Sequence, residues 1–134
     1  YGRVSSHDQK ADLDRQVARI AEWAAANSLT VSRYVREIGS GLNDRRRELL
    51  ALLDDKRIDT IVVEHRDRLA RFGTHQLEHS LKASGRRIVV IDTAEVSDDL
   101  VQDMIDLMTC FSARLYGRRS ARNRAKRAIE ALKP

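Results

Sequence analysis

Apolar residues recur along most of the chain at spacings that separate helix from strand. Leu13, Val17, Ile20 and Ala24 follow one another in steps of four, three and four, which predicts an amphipathic helix from about Gln9 to Asn27. Ahead of it, the Tyr-x-Arg alternation at Tyr1–Arg3 reads as the end of a strand, and Ser6 or Asp8 is placed to cap the helix. Leu29 to Glu37 alternates loosely through Val31, Tyr34 and Val35 and predicts a second strand. Gly39-Ser40-Gly41-Leu42-Asn43 is a loop, after which Asn43 or Asp44 caps a helix that turns Leu49, Leu50, Leu52 and Leu53 to the core. Thr60-Ile61-Val62-Val63-Glu64 and Ile88-Val89-Val90-Ile91 are the short β-branched runs of buried parallel strands. Between them lie a polar stretch, His65–Gly73, and a short helix from about Thr74 to Ala83, with Gly85 just past its end.

Ser97 caps the last helix, with Asp98 and Asp99 in its first turn, where the helix dipole favours acids. Its apolar stripe is Val101, Met104, Met108, Phe111 and Leu115, widened by Leu100, Ile105 and Leu107. Running on to Pro134, such a helix exceeds thirty residues, beyond the usual length of roughly 8–20. A helix that outgrows its domain docks on a partner or reaches a ligand. Strands alternating with helices predict an α/β fold with a central, mainly parallel sheet flanked by helices. The expected division is a core at residues 1–96 and, at residues 97–134, a long helix for self-association and ligand contact.

Composition narrows the class. The chain has 134 residues, 42% hydrophobic and 34% charged, as in a globular domain and unlike a disordered one. No apolar run spans a bilayer, and no signal-peptide pattern opens the chain. A single cysteine, Cys110, excludes an internal disulfide and points to an intracellular, cytoplasmic setting. The chain opens inside a structural pattern without an initiator Met, so it reads as part of a longer protein. Charge is uneven. Arg114, Arg118, Arg119, Arg122, Arg124, Lys126, Arg127 and Lys133 face one acid, Glu130, so this stretch carries +7 and the remainder −2 of a total of +5. A helix with so little i,i+4 pairing among its cations reads as a nucleic-acid contact.

The candidate chemistry follows from these placements. Arg3 and Ser5 sit where a strand opens into a helix N-terminus, a setting that suits an anionic oxygen and phosphate above all. Asp67-Arg68-Leu69-Ala70-Arg71 follows a neighbouring strand, at the end of an α/β sheet where sites form. The planar guanidinium fork binds phosphate oxygens and keeps its charge. A phosphodiester attacked by the Ser5 hydroxyl, its charge held by arginines and its proton moved with help from Asp67, is the reaction such a set fits. Taken singly, Ser5 is as readily a helix cap and Asp67-Arg68 a loop ion pair. The field of the arginines is the preferred means of activating Ser5, with His7 a lesser candidate for general base. His75-Gln76-Leu77-Glu78-His79 reads H-x-x-E-H, but no third ligand accompanies it, so no metal or cofactor is expected. Trp23 and Cys110 read as packing residues.

Three motifs in order now bear on the whole chain. Tyr1-x-Arg3-Val4-Ser5-Ser6-x-x-Gln9, then Gly39-Ser40-Gly41-Leu42-Asn43 with Arg46 three residues before Leu49, then Asp67-Arg68-Leu69-Ala70-Arg71, resemble the catalytic domain of the resolvase/invertase serine recombinases. The run Phe111–Ser120, with Glu64-His65-Arg66, is most similar to the serine transposases of small insertion sequences. In those a MerR-like helix-turn-helix domain precedes the catalytic domain, so the DNA-reading module is expected outside this chain. The resemblance implies that Ser5 breaks a DNA strand and holds its 5′ end as a phosphoserine ester. Arg3, Arg68 and Arg71 would bind the scissile phosphate, Arg46 would assist and Asp67 would help proton transfer. Tyr1, Gln9, Gln16 and Arg119 would support them. The implied partners are DNA, at transposon ends and targets, and further copies of the chain. These would form a dimer without DNA and a tetramer when active, associated with the nucleoid when on DNA. The alternative expectation is a non-catalytic module that binds phosphate or DNA and oligomerises.

Overall fold

The structure, a computed structural model, describes residues 1–97, 99–116 and 118–134, without the side chains of residues 116–121. The expected first-turn acid Asp98 and the side chains of Arg118 and Arg119 therefore lie outside the described residues. The chain divides into two compact units, Tyr1–Val96 and Ser97–Pro134.

In the first unit the order is β1 (Gly2–Val4), a 3₁₀ turn (His7–Gln9), α1 (Lys10–Ala26), β2 (Arg36–Ile38), α2 (Arg47–Asp54), β3 (Thr60–Val63), a second 3₁₀ turn (Arg66–Arg68), α3 (Thr74–Ala83) and β4 (Arg87–Val90). Strands β1 and β2 pair in parallel, as do β3 and β4. The Tyr1 amino group donates to Val62 O at 2.8 Å, which lays the start of β1 beside β3. The Arg3 side chain bonds the carbonyls of Asp67 and Arg68, so the turns that follow β1 and β3 lie together.

The core gathers Tyr1, Val35, Leu49, Leu52, Ile61, Val63, Leu69 and Leu81. Helix α1 buries the expected stripe of Leu13, Val17, Ile20 and Ala24, and with it Gln16. Three expectations are corrected. The strand expected over Leu29–Glu37 is confined to Arg36–Ile38. Ser28 takes φ = 56° and Leu29 N returns to Ala24 O, so the chain wraps the end of α1 before it extends. Leu50 is 41% exposed, because it falls off the face shared by Leu49 and Leu52. The N-terminus of α2 is held by neither Asn43 nor Asp44. The Glu37 carboxylate reaches across from β2 and accepts from Glu48 N (2.7 Å) and Leu49 N (3.1 Å).

The second unit is helical, with α4 (Leu100–Tyr116) and α5 (Arg118–Leu132) packed on one another. The C-terminal helical region expected from the stripe is present, as α4 and α5. Leu100 N bonds Ser97 O. On α4, Val101, Phe111 and Leu115 are exposed, while Met104 and Met108 are half-buried. On α5, Ala125 and Ile129 are buried one turn apart, and Arg122, Arg124, Lys126 and Arg127 are exposed, as is Arg114 on α4.

Candidate active site

Gln9 and Gln16 fix the backbone around Ser5. Gln9 Oε1 accepts from Ser5 N and Ser6 N, each at 3.1 Å, and so closes the turn after β1. Gln16, fully buried on α1, clamps Arg3 at both backbone groups, accepting from its N (3.1 Å) and donating to its O (2.9 Å). A polar residue at the centre of an apolar stripe has to be satisfied internally, and here that requirement aligns β1 on the helix.

Arg3 has no exposed surface. Its Nη1 lies 3.4 Å from Ser5 Oγ and 3.0 Å from Gly39 O, its Nη2 donates to Asp67 O at 2.7 Å, and its Nε donates to Arg68 O at 3.0 Å. One guanidinium thus joins the Ser5 hydroxyl to the Asp67-Arg68 turn and to the loop after β2. Gly41 makes room for it. A Cβ there would stand 3.0 Å from Arg3 Nη2 and 3.4 Å from Arg71 N, and Gly41 O accepts from that same Arg71 N at 3.1 Å.

Arg46 is the second buried clamp. It donates from Nε to Asn43 O (2.9 Å), from Nη1 to Tyr1 Oη (2.9 Å) and Arg68 O (3.2 Å), and from Nη2 to Leu69 O. Tyr1 Oη in turn donates to Glu37 Oε1 at 2.7 Å. Burial pushes the Tyr1 phenol well above its usual range, and the bond to Glu37 adds to this against the pull of the Arg46 charge.

Arg68 Nη2 meets Asp12 Oδ2 at 3.3 Å. Burial works against the ionised Asp12 carboxyl, but hydrogen bonds from Gln16 and Arg15, with the Arg15 and Arg68 charges, hold it below the usual carboxylate range. Arg71 faces Asp67 Oδ2 at 3.7 Å, Glu95 Oε1 at 3.6 Å and Val96 O at 3.5 Å. Asp67 is buried, and among the described residues neither of its carboxylate oxygens accepts a hydrogen bond.

The sequence reasoning missed a supporting network behind this turn. Glu64, fully buried, accepts from Arg15 at 2.9 and 2.8 Å. His65 Nε2 lies 3.1 Å from Glu64 Oε1, and its Nδ1 2.9 Å from Ala94 O. Burial raises the Glu64 carboxyl, but Arg15 hydrogen bonds and the Arg15, His65 and Arg19 charges outweigh it and hold it below the usual range. Glu64 and His65 entered the sequence reading only within the Glu64-His65-Arg66 run of the resemblance, without a role. Glu37 and Asp12 gave no signal, since their partners are remote in sequence.

Tyr1, Arg3, Ser5, Gln9, Gln16, Arg46, Asp67, Arg68 and Arg71 therefore meet at one end of the sheet. His7 is exposed on its 3₁₀ turn. Glu78 of the H-x-x-E-H run is engaged by Arg66, and His75 stands 3.8 Å from it. Arg119 lies outside the described side chains, and the cations of α5 belong to the second unit.

The family described as Resolvase, N terminal domain, matches residues 1–133. The chain belongs to the resolvase family. Among solved structures, this resolvase domain resembles the C-terminal catalytic domain of IS1535 TnpA, an IS607-like serine recombinase, at 57% identity and a TM-score of 0.90, over 98% of this chain and 96% of that one. It also resembles a serine recombinase from Sulfolobus solfataricus at 38% identity and a TM-score of 0.83, over 100% and 96% of the two chains. The uncharacterized protein Rv2886c of Mycobacterium tuberculosis is 50% identical over 129 residues, 96% of this chain. The resolvase domain spans 44% of that relative's length.

Proposed function

We propose that this serine recombinase domain cuts and rejoins DNA through Ser5, as the catalytic part of a transposase. The observation that carries the reading is the bridge made by Arg3 between Ser5 Oγ (3.4 Å) and the carbonyls of Asp67 (2.7 Å) and Arg68 (3.0 Å). In the proposed step Ser5 Oγ attacks phosphorus and gives up its proton. The P–O3′ bond breaks, O3′ takes a proton, and a 5′-phosphoserine ester and a free 3′ hydroxyl result. The ester conserves the phosphodiester bond energy, so the reverse attack by a 3′ hydroxyl reseals DNA without a cofactor.

The site suggests a division of labour. Arg3 acts on Ser5, where a buried positive charge favours the developing alkoxide. Arg46, with its donors on Asn43, Arg68 and Leu69 carbonyls, holds the loop. Arg68 and Arg71 are assigned to the scissile phosphate. Asp67 is assigned to proton transfer, for which a buried carboxylate accepting no hydrogen bond is suited. Tyr1, Gln9 and Gln16 are positioning residues, and Arg119 is proposed as a further supporting residue. The exposed cations Arg114, Arg122, Arg124, Lys126 and Arg127, with Arg118, would hold DNA phosphates. The face of Val101, Met104, Met108, Phe111 and Leu115 would join copies of the chain, as a dimer without DNA and a tetramer when active. A protein that works on DNA in this way would act in the cytoplasm, at the nucleoid when bound.

The test incubates the intact protein with transposon-end DNA, digests the product and weighs the Ser5 peptide. A nucleotide adduct on Ser5, absent in Ser5→Ala together with all cleavage, is expected. Full activity of Ser5→Ala without an adduct in the parent overturns the reading in favour of a non-catalytic DNA-binding module.

A further inference from the structure

Phe72 follows Arg71 directly and is 71% exposed. Scattered exposed aliphatics need no account, but this ring stands between two backbone hydrogen bonds. On one side, Arg71 N bonds Gly41 O at 3.1 Å. On the other, Gly73 takes φ = 83° at the N-terminus of α3, and its carbonyl accepts from Leu77 N at 3.1 Å. The main chain is hydrogen-bonded at both neighbours of Phe72, and the ring between them stands in solvent. It stands at the edge of the candidate site: Arg71 precedes it, 3.7 Å from Asp67 and 3.6 Å from Glu95, and is bonded through its backbone to the Gly41 loop.

We propose that the Phe72 ring is a nucleic-acid contact, packing on a base or sugar beside the phosphate that the neighbouring arginines hold. The proposal rests on the DNA-cutting reading above and extends it from phosphate to base step. Rigid apolar side chains next to phosphate-binding cations stack on bases or wedge between them, and such contacts discriminate steps by how readily they unstack. A second protein chain is the competing occupant. The ring's place directly after Arg71, which the proposed function assigns to the scissile phosphate, favours DNA.

Two measurements on the intact protein test this. Phe72→p-benzoylphenylalanine is irradiated with labelled mixed-sequence duplex, and a protein–DNA adduct is expected. Phe72→Ala should weaken duplex binding about tenfold without changing the slope of log affinity against log salt, because no phosphate contact is lost. Phe72→Trp should restore the affinity. An adduct only to a second protein chain, an unchanged affinity, or a changed salt slope overturns the proposal. Repeating the crosslink in Ser5→Ala separates the two claims. A DNA adduct at residue 72 in Ser5→Ala is expected, since the contact needs no ester, whereas absence of a Ser5 ester in the parent alongside that adduct defeats the chemistry and leaves this contact standing.

Discussion

Gly41 is the residue on which the geometry of the site is tightest. A methyl group there meets Arg3 Nη2 at 3.0 Å and Arg71 N at 3.4 Å, so Gly41→Ala has to displace a guanidinium that is itself bonded to backbone. The expected outcome is a loss of about 1–3 kcal/mol in stability and at least a tenfold fall in Ser5–DNA ester formation, read by gel shift under single-turnover conditions. Glu64 offers a test by pH. Its carboxyl is held below the ordinary glutamate range by Arg15 and its neighbours. A depressed carboxyl contributes stability above the unfolded value of about 4.3. That contribution is lost as pH falls through the lower folded value. Arg15→Ala should therefore lower Tm near neutrality, and the gap to the parent should close as the solution is taken below about pH 4. The reacting residues were legible because they recur in short local motifs. Asp12, Glu37 and Glu64 were not, because each is defined by partners that only the fold brings near.

At the scale of elements, α2 shows why local sequence misled. Asn43 and Asp44 are good capping residues, yet the helix starts later, at Arg47, and a carboxylate from β2 reaches its open N–H groups. Glu37 also accepts from Tyr1 Oη, so one side chain ties a strand, a helix terminus and a tyrosine. Glu37→Gln should cost about 1–3 kcal/mol, seen as a lower midpoint in urea, whereas Asp44→Ala should leave the midpoint within about 0.5 kcal/mol. The bounds of β3 and β4 were read nearly to the residue, since β-branched apolar runs leave little choice, although β4, expected to be buried, is only half-buried at Ile88, Val89 and Val90. The strand expected over Leu29–Glu37 shrank because alternation there was loose and Ser28 turns the chain back on α1.

For the whole molecule, the alternation of strand and helix was enough to give an α/β fold with a parallel sheet. The apolar period from Val101 to Leu115 was enough to give a C-terminal helix. Val101, Phe111 and Leu115 stay exposed on α4, and on the proposed reading another copy covers them. Leu115→Asp is expected to shift the light-scattering mass toward a monomer at a concentration where the parent self-associates, with an unchanged circular dichroism spectrum.

Arg3 has one further consequence. Its side chain closes contacts between residues as far apart in the chain as Gly39 and Arg68, so no part of this end of the sheet opens alone. Opening of the Gly39–Asn43 segment breaks the bonds to Gly39 O and Gly41 O together. In amide exchange, the Arg68 and Arg71 N–H groups should then report one shared opening free energy. Replacing Arg3 by lysine should split that single unit into two.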